Sequence, residues 1–247
     1  MRVILLLGVL FFVSAATGAD YEREERWAEE IVPYLVVGDP IYLQTDNGRK
    51  FLNLYTEVIK AKAAVILVHG RGIHPDWGLI NPLRMRLADQ GYTTLSAQMP
   101  VQGAEAGGDA YVPLFPEAGE RLVAAVKFLH GKGYKKIALV SHSMGARMSG
   151  DYLKNNLAAP LFAWVAVSIT YDTLGSLSRV KFPILDLYGE QDLPQVLNNN
   201  QARAQAIKKI AGSVQIMAPK ADHFFNGHED ALVNYVKNFL DQSLQRK

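Results

Sequence analysis

The segment Ser141-His142-Ser143-Met144-Gly145-Ala146 directly follows the apolar run Ile137–Val140 and leads into residues of helical character. A strand, a sharp turn carrying a serine and a helix make a nucleophile elbow, in which the hydroxyl projects beyond the strand end from a strained backbone. The residues two before and two after that serine must be small, so that strand and helix can approach. Ser141 and Gly145 meet this demand, with Ser141 standing where the usual pattern has glycine. Ser143 is therefore the candidate nucleophile. The chain has no cysteine, which excludes thiol nucleophiles, iron-sulfur clusters and disulfide scaffolds and leaves covalent chemistry to Ser, Thr, Lys or a carboxylate.

A serine hydroxyl needs a base, an acid to orient that base, and donors for the oxygen that gains charge. Ala221-Asp222-His223-Phe224-Phe225 follows the last β-prone run and puts His223 on a loop at a sheet's carboxyl edge, as general base. The run Pro183–Asp192 carries Asp192 past the end of a buried strand, where it can orient an imidazole; Asp186 and Glu190 stay open for the same role. His69-Gly70-Arg71-Gly72 ends an earlier buried run, and the backbone N–H groups of Arg71 and Met144 are the natural oxyanion pair. The remaining histidines read as structural: His69 in its loop, His74 and His130 at a loop and a helix end, His228 near the terminal helix, His142 directed away from Ser143. Arg71 and Arg147 read as solvated surface residues or as contacts for an anionic substrate group. His223 and His228 lack a third ligand at metal spacing, so neither a metal nor a cofactor is expected.

These residues act together only if successive strands end at one rim. Pro40–Asp46 and Arg49–Ile59 flank Asn47-Gly48, a dipeptide that tolerates positive φ, and so predict a hairpin. Ala63–Val68, Thr93–Gln98, Lys136–Ser141, Phe162–Ile169, Phe182–Tyr188 and Val214–Met217 read as further strands. The first of them is continuously apolar, as a strand covered on both faces of a parallel sheet must be. Helices are predicted from Asn81, as N-cap with Pro82 following, to Gly91, over Glu117–His130, Met144–Asn155 and Gln201–Ile210, and over Asp230–Leu244. This alternation implies an α/β fold, a mostly parallel central sheet with helices on both faces. About a dozen residues join the strand ending near Ile169 to the one beginning near Phe182, too few for a large cap domain. The loops Pro100–Pro116 and Ile73–Leu79 either wall the cleft or pack over the sheet edge.

The 247 residues are 49% hydrophobic and 20% charged, enough for a core in one domain. A formal charge of +2 is spread over 26 basic and 24 acidic residues without a long basic block, so no nucleic-acid partner is expected. Met1 and Arg2 precede the apolar stretch Val3–Val13 and small residues up to Ala19, which reads as a signal peptide over residues 1–19, cut before Asp20. As a helix that stretch would reach about 16 Å, short of the ~30 Å hydrocarbon core, so no stable membrane span is expected after processing. The expected protein is exported, periplasmic or secreted, with a single domain over 20–247. Tyr21–Glu30, dense in Glu and Arg, reads as a solvated arm or short helix with no functional part.

Taken in order, the hairpin, the loop HGRG, the elbow SHSMGA, GEQD and ADHFF resemble the α/β-hydrolase superfamily over nearly all of the chain after residue 19. The stretch HPDWGLINPLRMRLADQGYTTLSAQMP is similar to a group of exported bacterial hydrolase-like proteins, which implies a fold but no substrate. The resemblance implies that Ser143 attacks an acyl carbonyl, that His223 takes and returns the proton, and that Asp192 orients and stabilises the imidazole. A serine at the elbow argues against the carboxylate-nucleophile chemistry of dehalogenases and epoxide hydrolases. The implied reaction is hydrolysis of a carboxylic ester of a small molecule, with thioester or amide cleavage open. The alternative is a non-catalytic binding or envelope-structural protein that keeps the fold, a reading encouraged by Ser141 in place of glycine. Nothing in the sequence indicates an oligomeric state.

Overall fold

The computed structural model describes residues 18–170 and 173–246. Most of the segment expected to be a signal peptide lies outside the described residues. Asn47-Gly48 turns the chain between β1 (Asp39–Gln44) and β2 (Lys50–Thr56), with Gly48 at φ 90°. The apolar runs then form β3 (Ala63–Val68), β4 (Tyr92–Ala97), β5 (Ile137–His142), β6 (Ala163–Val167), β7 (Ile184–Gln191) and β8 (Val214–Asp222). Between and around them lie α1 (Tyr21–Ile31), α2 (Ile80–Asp89), α3 (Phe115–Gly131), α4 (Met144–Asn155), α5 (Leu174–Leu177), α6 (Pro194–Leu197), α7 (Asn200–Ile207) and α8 (Glu229–Gln245). No helix of the described residues is long and apolar enough to cross a membrane.

The eight strands form one sheet in the order β1-β2-β4-β3-β5-β6-β7-β8. β2 runs antiparallel to both β1 and β4, and every other neighbouring pair is parallel. Alternation along each strand divides the core in two. On β3, Ala64, Ile66 and Val68 join Leu122 and Leu129 of α3 and Met148 and Tyr152 of α4, whereas Val65 and Leu67 join Leu83 and Leu87 of α2 and Leu232 and Val236 of α8. Each Val, Leu, Ile or Met among them stabilises the fold by about 1.5–3 kcal/mol when fully buried. From β3 the chain passes to β4 on one side, and the later strands add on the other, beginning with β5. Connections therefore diverge at the carboxyl ends of β3 and β5, and a crevice opens at this kind of switch point.

Three sequence expectations change. α2 starts at Ile80 with Leu79 as its cap, not at Asn81, because a turn through Gly78 already supplies carbonyls to the first helical N–H groups. Asn81 instead donates its amide to Asp76 Oδ1 at 2.9 Å. β8 runs five residues beyond Met217, since pairing with β7 holds a half-exposed edge strand that hydropathy does not mark. The charged run takes the second of its two readings, a short helix, but α1 is not wholly solvated: Glu24 is buried and ion-paired with the fully buried Arg121.

Candidate active site

β5 ends at His142 and α4 begins at Met144, so Ser143 alone must reverse the chain. It adopts φ 52° and ψ −116°, a conformation that costs a non-glycine residue of order 1–3 kcal/mol. The surroundings fix it there: its N–H donates to Val167 O at 2.9 Å, and its carbonyl accepts from the N–H groups of Ala146 and Arg147. Gly145 is required, because a Cβ there would lie 2.3 Å from His69 O and 2.7 Å from Val68 O. Ser141 is tolerated for a different reason: its buried hydroxyl accepts the indole N–H of Trp164 at 2.7 Å.

His223 stands one residue past β8 and is 7% exposed. Its Nε2 is 3.0 Å from Ser143 Oγ and its Nδ1 is 2.6 Å from Asp192 Oδ1. The structure thus brings together the three residues that the sequence singled out. Asp192 Oδ1 also accepts from the Leu193 N–H at 2.7 Å, and Oδ2 accepts from Ser168 Oγ at 2.6 Å. Burial pushes the Asp192 pKa up, but the hydrogen bonds from His223 and Ser168 outweigh it and hold the carboxyl below its ordinary value. An ionised Asp192 accepts only, so the imidazole proton sits on Nδ1 and the Nε2 lone pair faces the serine. Asp222 ties the loop that carries the imidazole, its Oδ1 accepting from the N–H groups of Phe224 and Asn226, each at 3.0 Å.

The other acids lie elsewhere. Asp186 is fully buried against Arg203 at 2.9 Å, and Glu190 accepts the Lys220 N–H at 2.8 Å. His69 is structural as expected: Nδ1–H donates to Gly70 O, Nε2 accepts the Met99 N–H at 2.8 Å, and burial lowers its pKa to about 3. His142 does not match its expectation. Its side chain leaves β5 on the face that the His223 loop covers, its Nε2 lies 3.0 Å from the His223 carbonyl, and the two rings are 4.9 Å apart. Burial again lowers its pKa to about 3, so a neutral ring donates to that carbonyl. His74 contacts the Trp27 ring, and His228 caps α8 without a side-chain bond.

A cleft of about 620 Å³ opens over Ser143 and His223. Arg71 and Met144 line it, and among the described residues neither backbone N–H donates to a protein acceptor. Ile73 and Gly108 bring both flanking loops to its wall, and α5, at four residues, is the longest helix between β6 and β7 among the described residues. Arg71 is exposed at the mouth, whereas the Arg147 side chain is only 14% exposed and lies over the Phe115 ring, so solvation does not describe it.

Sequence reasoning missed Ser168 and His142. Ser168 has φ 54° just beyond β6, a conformation that glycine would have announced and serine conceals. His142 lay within the motif, but only the path of a loop from the far end of the chain reveals its partner.

The family described as "Protein of unknown function (DUF3530)" matches residues 14–110 and 116–242. No curated protein matches the chain in sequence. Among solved structures, Est1E from Butyrivibrio proteoclasticus with ferulic acid bound is similar at 15% identity and TM-score 0.70, over 83% of this chain and 100% of that one. The Pyrococcus furiosus esterase Pf2001 is similar at 16% identity and TM-score 0.69, over 83% and 92%. XC6422 from Xanthomonas campestris, described as an α/β serine hydrolase without lid, is similar at 16% identity and TM-score 0.62, over 87% and 98%. The fold of this chain is the α/β-hydrolase fold.

Proposed function

We propose that this chain, which belongs to the DUF3530 family, is a serine hydrolase that cleaves carboxylic esters of small molecules through an acyl-enzyme. One observation carries the reading: Ser143 Oγ, Nε2 and Nδ1 of His223, and Asp192 Oδ1 are joined by contacts of 3.0 and 2.6 Å on a strained elbow in an open cleft. Ser143 Oγ adds to the ester carbonyl carbon while its proton passes to His223 Nε2. The N–H groups of Arg71 and Met144 receive the oxyanion, at about 2.7–4 kcal/mol per donor in comparable sites. His223 then protonates the departing alcohol as the C–O bond breaks. Water, deprotonated by the same nitrogen, adds to the acyl carbon, and His223 returns that proton to Ser143 Oγ as the acyl C–Oγ bond breaks and the carboxylic acid leaves. Asp192 fixes the imidazole tautomer and stabilises its cationic form throughout. No step requires a cofactor.

We propose as well that the protein is exported, with residues 1–19 removed as a signal peptide and 20–247 acting as the single domain. Ser141, the feature that favoured a non-catalytic binder, has a packing role against Trp164. The test is a fluorophosphonate probe on the purified protein followed by a panel of acyl esters. Labelling and hydrolysis that vanish together in Ser143→Ala support the reading, and folded wild-type protein that neither labels nor hydrolyses any ester ends it.

A further inference from the structure

The oxyanion loop leans on an element outside the sheet. α1 crosses the loops that follow β3 and β4, and Arg23 on its first turn reaches both. Arg23 Nη1 donates to Gln102 O at 2.9 Å and Nη2 donates to Gly72 O at 3.1 Å, so one planar guanidinium joins two carbonyls from loops 30 residues apart in sequence. Gly72 has φ 66°, a left-handed conformation that glycine adopts without a Cβ clash but does not by itself prefer over others, so a contact at its carbonyl helps to select it. The guanidinium in turn is held, stacked 4.6 Å from the Trp27 ring centroid on the next turn of the same helix.

α1 is anchored independently of that contact. The Asp20 N–H donates to Val101 O at 2.7 Å, and Asp20 Oδ1 caps the helix at the Arg23 N–H. Glu24 accepts from the buried Arg121 at 2.8 and 3.2 Å and from the Val101 N–H at 3.3 Å. Farther along, Trp27 packs on His74 with ring centroids 5.6 Å apart, touching the same β3–α2 loop a second time. A helix fixed at its first turn to the β4 loop thus projects two side chains onto the loop that carries Arg71.

We infer that Arg23 is a positioning residue for the oxyanion loop, holding the Gly72 carbonyl so that the preceding Arg71 N–H faces the cleft. The inference rests on the serine-hydrolase reading above. An oxyanion donor acts over about 2.7–3.1 Å, and misplacement by about 1 Å costs on the order of 100-fold in rate. The braced carbonyl lies two peptide planes after that N–H, and holding it limits how far the Arg71 backbone can turn. Lysine cannot replace it, because a single ammonium does not present two coplanar donors to two diverging carbonyls.

The test uses the full-length protein as expressed, with active sites counted by fluorophosphonate titration. Arg23→Ala and Arg23→Lys are expected to lower kcat per titrated site by about 10- to 100-fold with KM changed less than threefold, and added guanidinium ion is expected to restore part of the Arg23→Ala loss. Wild-type activity with an unchanged kcat per site in Arg23→Ala overturns the inference. A lower melting temperature with full kcat per site shows a merely structural helix and overturns it too. Wild-type protein that hydrolyses nothing overturns the parent reading, which the wild-type assay reveals before any variant is made. If Arg23→Ala does not fold, Arg23→Lys and Arg23→Gln provide the same comparison, each expected to lose kcat per site while still labelling, and full kcat per site in either overturns the inference.

Discussion

Ser141 on β5 and Trp164 on β6 are joined by a hydrogen bond of 2.7 Å from the indole N–H to the serine hydroxyl, with both residues fully buried. The hydroxyl that departs from the elbow pattern thus satisfies a donor that would otherwise be stranded in the core. Ser141→Ala is expected to destabilise the protein by about 1–3 kcal/mol, the cost of an unsatisfied buried donor. Activity per folded molecule should change little. Urea denaturation of Ser141→Ala, Trp164→Phe and the double variant checks this, with the two losses expected to be less than additive.

Asp192 is held from two sides, by His223 at Oδ1 and by Ser168 at Oδ2. Asp192→Asn inverts the hydrogen-bonding polarity toward Nδ1, favours the wrong tautomer and is expected to lower kcat about 10⁴-fold. Ser168→Ala removes one hydrogen bond to the ionised carboxylate, worth about 1.5–3 kcal/mol, and is expected to cost about 10- to 150-fold. Steady-state ester hydrolysis checks both, and a Ser168→Ala loss as large as that of Asp192→Asn would mean that Ser168 does more than orient the carboxylate.

Two glycines of neighbouring helices should respond oppositely to alanine. At Gly145 a Cβ would meet the carbonyl oxygens of His69 and Val68 at 2.3 and 2.7 Å, whereas at Gly119 in α3 nothing lies within 4 Å. Gly145→Ala is expected to abolish soluble, labelled protein, because backbone atoms cannot yield. Gly119→Ala is expected to stabilise by about 0.4–1 kcal/mol through a less flexible unfolded chain. Melting temperatures and fluorophosphonate labelling of the two variants decide the matter.

Burial keeps His69 neutral, with its pKa lowered from 6.5 to about 3, while its Nε2 accepts the Met99 N–H. In the unfolded chain that imidazole takes a proton near its ordinary value, so below pH 6.5 the unfolded state binds more protons than the folded one. The stability present above pH 6.5 is lost as pH falls toward 3, at about 1.4 kcal/mol per pH unit. His69→Gln keeps an acceptor for Met99 and cannot titrate. Unfolding free energies measured at pH 7, 6 and 5 should fall less steeply in this variant than in the wild type, by about one proton's worth of slope.

Apolar runs of strand length, Asn47-Gly48, and Ser143 between a strand and a helix were legible because they are local: burial periodicity, turn chemistry and steric size are properties of adjacent residues. They sufficed to predict a parallel sheet and to single out Ser143, Asp192 and His223. Which acid meets the imidazole was not local: sequence favoured Asp192 but kept Asp186 and Glu190 open for the role. Tertiary structure decided it, since Asp186 faces Arg203 inside β7 and Asp192 alone lies past the strand where the β8 loop returns. The same holds for the charged run at Tyr21–Glu30. Its composition suits water, but Arg121, 97 residues from Glu24, supplies the buried countercharge that lets the helix dock. Pattern fixes which face of an element is apolar, whereas the pairing of charges and the strain at Ser143 and Ser168 depend on what distant segments bring to them.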